Sequence, residues 1–199
     1  IQKRIVGAEV TAVVEPDEGR AKAALETAPN AKWFPNIEEA IAAKAMDAVL
    51  IATPGQFHEP VLVPAIEAGL PILCEKPLTP DAESSYKIVE LEVAKGKQLI
   101  QVGFMRRFDQ GYINLRELIA SGKQGELLGL HCAHRNPAVP DTYHNDMLIF
   151  DSVVHEIDVV RFLTDSPIKS VEVKHMKRNK LSPEKLNEPI LFSSESARN

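Results

Sequence analysis

Residues 46–53 read MDAVLIAT, and the four consecutive apolar residues Ala48, Val49, Leu50 and Ile51 predict a strand covered on both faces, as in a parallel sheet. Pro54-Gly55 punctuates its end. A helix is predicted over 58–68, with Pro60 tolerated in its first turn and Gly69 just past its last. Upstream, the valine-rich run EVTAVVE (9–15) predicts another strand, which ends on Glu15 and is followed by an alanine-rich helix opening at Asp17. A short strand at 32–34 leads to a helix whose first turn Asn36 can cap. Downstream, a strand at 72–74, a helix over 81–94 and a strand at 98–102 continue the series. Strands alternating with helices mean repeated β-α units and a parallel sheet, the α/β class.

Beyond Gly103 the grammar changes, which places a domain boundary between residues 1–102 and 103–199. The basic, aromatic segment FMRRF (104–108) leads into a helix over 110–121. Residues 126–135 read as an alternating strand, 136–147 as a loop with Pro137 and Pro140, 150–163 as a helix, and 168–175 as a half-exposed strand. The polar stretch 177–199 is expected to be a long loop, with Leu191-Phe192 its one apolar pair of note.

The 199 residues carry 23 basic and 28 acidic side chains, a formal net charge of -5 with no basic tract, which speaks against nucleic acid or an anionic membrane as partner. No apolar run approaches the roughly 18 residues of a membrane span. Two cysteines, Cys74 and Cys132, without CxxC spacing fit a reducing cytoplasm better than a disulfide framework.

Chemistry concentrates at three places. Ala52-Thr53-Pro54 with His58, and Cys74-Glu75-Lys76-Pro77, follow successive strands and so fall at the carboxyl edge of the sheet, where open α/β sheets bind ligands. A surface turn with a solvated Glu-Lys pair is the competing reading of the second segment, and a capping or surface histidine that of His58. Glu15 ends its strand where an acid can accept hydrogen bonds from ribose hydroxyls, although acids at strand ends are commonplace. No G-x-G fingerprint occurs in the sequence. The third place is Asp151, His155 and Asp158, whose spacings of four and three set them on one helical stripe. A histidine with a carboxylate one turn away is the makings of a general base, and equally an ordinary solvated helix face. A metal shared by His131, His134, His155 and Asp151 is disfavoured, because the first two would point to opposite faces of a strand.

In order, ATPxxxH (52–58), CEKP (74–77), GFMRRFD (103–109) and DxxxHEID (151–158) resemble the Gfo/Idh/MocA oxidoreductases. Each motif is weak alone; the ordered set covers nearly the whole chain. The resemblance implies a Rossmann-type doubly wound sheet joined to an α/β (α+β) substrate domain with an open sheet, and assembly as a homo-oligomer, a tetramer. It implies oxidation of a cyclic polyol, myo-inositol to its 2-keto product, with hydride transfer to NAD rather than NADP. Another sugar, scyllo-inositol, or a catalytically silent binding role are the alternatives. Carried over by residue, Lys76, Asp151 and His155 are catalytic: His155 takes the hydroxyl proton, Lys76 stabilises the alkoxide and Asp151 holds them in register. Met105, Arg106, His134, Asn136 and Asp158 line the polyol pocket, Glu15, Ala52, Thr53, His58, Glu75 and Lys76 contact the cofactor, and no metal takes part. The family's first strand and glycine turn have no counterpart here, and its second sheet is incomplete. The chain is therefore expected to be part of a longer enzyme, or to have the gap between its first strand and 46–53 filled by another segment.

Overall fold

The computed structural model describes residues 5–134, 139, 143, 147–175 and 190–196. These fall into two compact units, Ile1–Gly103 and Phe104–Asn199. The first is Rossmann-type α/β, in the order β1 (Ala12–Val14), α1 (Glu18–Thr27), β2 (Lys32–Phe34), α2 (Ile37–Ala42), β3 (Val49–Ile51), α3 (Glu59–Glu67), β4 (Ile72–Cys74), α4 (Ala82–Ala94) and β5 (Ile100–Val102). Three helices start on side chains that accept the first free amides: Asp17 from Arg20 N at 2.7 Å, Asn36 from Glu39 N at 2.9 Å and Asp81 from Ser84 N at 2.9 Å. Asn36 also gives its amide to the Glu39 carboxylate at 2.8 Å, a reciprocal cap.

All strand pairs in this unit are parallel. They form two ladders, β1-β2 and β3-β4-β5, and among the described residues no ladder joins β1 to β3. The Thr11 hydroxyl donates to the Ala45 carbonyl at 2.6 Å, tying the approach to β1 to the chain before β3.

The core lies on one face of β3-β4-β5, where Val49, Ile51, Ile72 and Cys74 meet Ile37 of α2, Leu62, Ala65 and Ile66 of α3, and Ile88 of α4. The alternate residues Leu50 and Leu73 remain 49% and 45% exposed. The expectation of a strand covered on both faces is corrected here. Successive side chains of a strand point to opposite sides, and α2, α3 and α4 stack on one of them.

In the second unit a 3₁₀ turn (Met105–Phe108) runs into α5 (Gln110–Ala120), capped by Asp109, which accepts from Gly111 N at 2.8 Å. A π-helical segment (Leu148–Val153) continues directly into α6 (Val154–Thr164). β6 (Ile168–His175) then pairs antiparallel with β7 (Ile190–Ser196), Val173 opposite Phe192. Two expectations change. Residues 126–134 join no ladder with any described strand, so an alternating pattern there finds no partner. Residues 190–196 of the expected loop form β7, because β6 offers them a ladder seven residues long. The rest of 177–199 lies outside the described residues.

Truncating a side chain in the covered core should cost far more than on the open face. Leu62→Ala, at a fully buried position, is expected to lose about 3 kcal/mol and Leu50→Ala about 1 kcal/mol or less, read from urea unfolding midpoints of the two variants.

Candidate active site

In the first unit, strand register assembles the candidate residues. Ile51 pairs with Cys74 and Cys74 with Val102, so three strands end on one line. The exits are bonded to one another: Glu75 N donates to Ile51 O at 2.9 Å and Gly103 N to Cys74 O at 2.7 Å. Gly103 fits closely here, since a Cβ there would lie 3.3 Å from that same carbonyl, a tight contact. Ala52 and Thr53 are exposed at the β3 exit, and Lys76 is half-buried in the turn after β4, before a cis Lys76-Pro77 bond. Glu75 Oε2 accepts from Lys76 N at 3.3 Å.

Glu15 follows β1 with its carboxylate already engaged. Oε1 accepts from Arg20 Nη2 at 2.6 Å and from Asp17 N at 2.9 Å. The Arg20 bond first, and the Asp17 amide second, hold its pKa below the usual carboxylate range. His58 is neither a cap nor a surface group: it makes no capping bond and is fully buried. Its ring therefore reaches a bound molecule only through the loops around it. A carboxylate after β1, exposed main chain after β3 and an ammonium after β4 are groups that could hold a dinucleotide at a sheet edge; the glycine-rich phosphate cradle is absent from this sequence.

In the second unit, His155 and Asp158 are each only 6% exposed. That rules out the solvated-face reading for both. His155 meets Phe104 edge-on and lies nearly parallel to His134, with ring centroids 6.3 Å apart in each case. Asp158 accepts from two N–H groups of Arg107: Nε, shared between both carboxylate oxygens at 2.9 Å each, and Nη2 at 2.7 Å. Arg106 pairs with Glu156, whose other oxygen lies 3.2 Å from His134 Nδ1. Burial works against the Arg106 charge, and Glu156 more than offsets it, leaving its pKa raised. Asp151 sits half-buried in the π segment that runs directly into the helix carrying His155 and Asp158. Tyr143 packs beside that segment, its hydroxyl donating to Met147 O at 3.0 Å and lying 2.8 Å from Ser152 Oγ. Met105 is largely exposed, and Asn136 lies outside the described residues.

Arg107 and Glu156 were not among the sequence candidates, yet they engage Asp158, Arg106 and His134. Both sit beside residues that were chosen, in MRRF and HEID. Nothing local shows that charges some fifty residues apart will pair. Among the described residues no cluster of three His, Cys, Asp or Glu is placed to hold a metal, and no helix is long and apolar enough to cross a membrane.

Residues 1–104 match the oxidoreductase family with an NAD-binding Rossmann fold, and residues 112–188 match the GFO/IDH/MocA C-terminal domain. The chain belongs to the Gfo/Idh/MocA oxidoreductases. It is 62% identical to an inositol 2-dehydrogenase of Corynebacterium glutamicum (strain R), over 98% of this chain and 58% of that protein. An inositol 2-dehydrogenase of Leifsonia xyli subsp. xyli is 57% identical, over 96% and 56% respectively. Among solved structures, myo-inositol dehydrogenase from Lactobacillus casei in complex with NAD(H) and myo-inositol matches with a TM-score of 0.93 and 34% identity, over 98% of this chain and 58% of that one. The chain thus spans 56–58% of the length of these relatives.

Removing Arg107 strands a buried carboxylate. Arg107→Ala should destabilise the protein by about 3 kcal/mol, at the low end for a broken buried pair because Arg107 itself is 36% exposed. Asp158→Asn in the same background should recover part of that loss in chemical denaturation. The thiols offer a second check. Burial, and then the Glu75 charge, push Cys74 up to about 12, so in mildly alkaline solution it should resist iodoacetamide while exposed Cys132 is alkylated, as peptide masses will show.

Proposed function

We propose that this chain carries the cofactor-handling part, and some of the substrate-handling part, of an NAD-dependent dehydrogenase that oxidises myo-inositol to its 2-keto product. What supports this most is the likeness to the Lactobacillus casei myo-inositol dehydrogenase, close in both backbone and sequence. A ring bearing several hydroxyls needs many donors and acceptors around one reacting carbon. Arg106, His134, Asn136 and Asp158 supply such groups, with Met105 as an apolar contact; Asp158 is itself held by Arg107.

Bound NAD supplies the acceptor for the carbon-bound hydrogen, which leaves as hydride. The chain's own residues do the rest. His155 takes the hydroxyl proton, its ring kept in place by Phe104 and His134. Lys76 stabilises the developing alkoxide, where a fixed charge in a partly dry environment is worth more than in water. Asp151 orients His155. Glu15, Ala52, Thr53, Glu75 and Lys76 contact the cofactor. The Glu15 carboxylate favours NAD over NADP by repelling a 2'-phosphate, and by occupying Arg20, the cation nearest to it. Assembly as a tetramer in the cytoplasm completes the proposal.

The test is NADH formation from myo-inositol by the full-length protein. Lys76→Ala should lower kcat by about 100-fold or more, and His155→Ala by a similar factor. Full turnover in either variant removes that residue from the mechanism, and activity confined to another sugar reassigns the substrate. Glu15→Gln should release Arg20 and raise kcat/KM for NADP relative to NAD by about tenfold. An unchanged ratio would show that Glu15 does not select the cofactor.

A further inference from the structure

His58 is a fully buried histidine whose ring is bracketed by main-chain oxygens of two different loops. Nε2 lies 2.8 Å from the Thr53 carbonyl oxygen, at the exit of β3. Nδ1 lies 2.9 Å from the Pro77 carbonyl oxygen and 3.2 Å from that of Leu78, in the turn after β4. A ring nitrogen that carries a proton donates and a carbonyl accepts, so each protonation state ties the ring to at least one loop. The Cys74 thiol lies 3.4 Å from Nδ1. Its pKa of about 12 keeps it an S–H group, able to donate to Nδ1 when Nε2 carries the ring proton, with the Glu75 carbonyl at 3.3 Å as its other acceptor. In that arrangement too the ring joins the end of β4 to the exit of β3.

The two loops are also in direct contact. A Cβ at Gly55 would lie 3.3 Å from Pro77 Cγ, and Glu75 N donates to Ile51 O. Lys76 therefore stands between Glu75, whose amide is held by Ile51, and Pro77, whose carbonyl accepts from His58 whenever Nδ1 carries a proton. Thr79 and Asp81 fasten the far end of the turn to Ser84 at the start of α4.

We propose that His58 is a positioning residue for Lys76, a buried bridge that holds the turn after β4 against the exit of β3 and so fixes where the ammonium group is presented. Its importance for turnover rests on the reading of Lys76 given above; the bridge itself does not. The competing account is packing alone, in which any ring of similar volume would serve.

His58→Phe keeps the ring and removes the donors, and His58→Gln keeps one donor. In the full-length protein, hydrogen exchange read by mass spectrometry over residues 74–79 should speed up by about tenfold in the Phe variant and by less in the Gln variant, with α4 around Ile88 unchanged. Turnover should fall by about tenfold in the Phe variant, and by less than about twofold when the same change is made on Lys76→Ala. Unaltered exchange over 74–79, or a rise spread evenly through α3 and α4, overturns the bridge. Equal losses with and without Lys76 overturn its action through Lys76. If Lys76→Ala alone leaves turnover intact, the mechanistic reading fails, and the exchange result still decides whether His58 holds the turn.

Discussion

Parallel register is the constraint on which the first unit depends. Because Ile51, Cys74 and Val102 sit opposite one another, whatever follows each strand must emerge along one edge. The chain then has little freedom in what it places there. Gly103 sits tightly against the Cys74 carbonyl and Gly55 against the Pro77 ring, so the loops are shaped by how closely these segments approach one another. The core behind them is what makes the register worth keeping. A one-residue slip would bring Leu50 and Leu73 toward α3 and turn Ile51 and Cys74 outward, discarding the fit with Leu62 and Ile66.

The second unit is organised by a different requirement, that buried charge be paired. Asp158 is held by two N–H groups of Arg107, and Glu156 is shared by Arg106 and His134. Removing one member of such a set leaves its partner desolvated and alone, which costs more than the intact pair contributes. Arg107 also lies over the Phe162 ring at 5.4 Å, with Arg116 at 4.9 Å, so the aromatic face joins the 3₁₀ turn, α5 and α6 through cations. A polar cluster built this way is stiff.

What could be read in the sequence was what is local. Asp17, Asn36 and Asp81 cap helices because a side chain reaches an amide three residues away, and the β-α alternation followed from short-range apolar runs. What could not be read involves distant partners. A strand forms only if another strand is there to pair with, which is why 190–196 gained a ladder against β6 and 126–134 gained none. Which face of β3 would be covered depended on where α2, α3 and α4 came to rest, and the pairing of Arg107 with Asp158 on how α6 met the 3₁₀ turn. The π segment is a subtler case. Spacings of four and three assume 3.6 residues per turn throughout, and Leu148–Val153 departs from that at Asp151 itself.

His58 shows why position in an element is weak evidence for what a side chain does. A histidine at a helix start suggests a cap or a neighbour of a ligand, since both uses depend only on where its Cα lies. Its actual partners are carbonyls five, nineteen and twenty residues away, and those separations come from the order of the strands. Enclosing a polar ring is costly unless its nitrogens find partners, and here those partners belong to the two loops beside Lys76. Apolar side chains already fill the neighbourhood of α3, so a ring chosen for volume alone had no need of nitrogen.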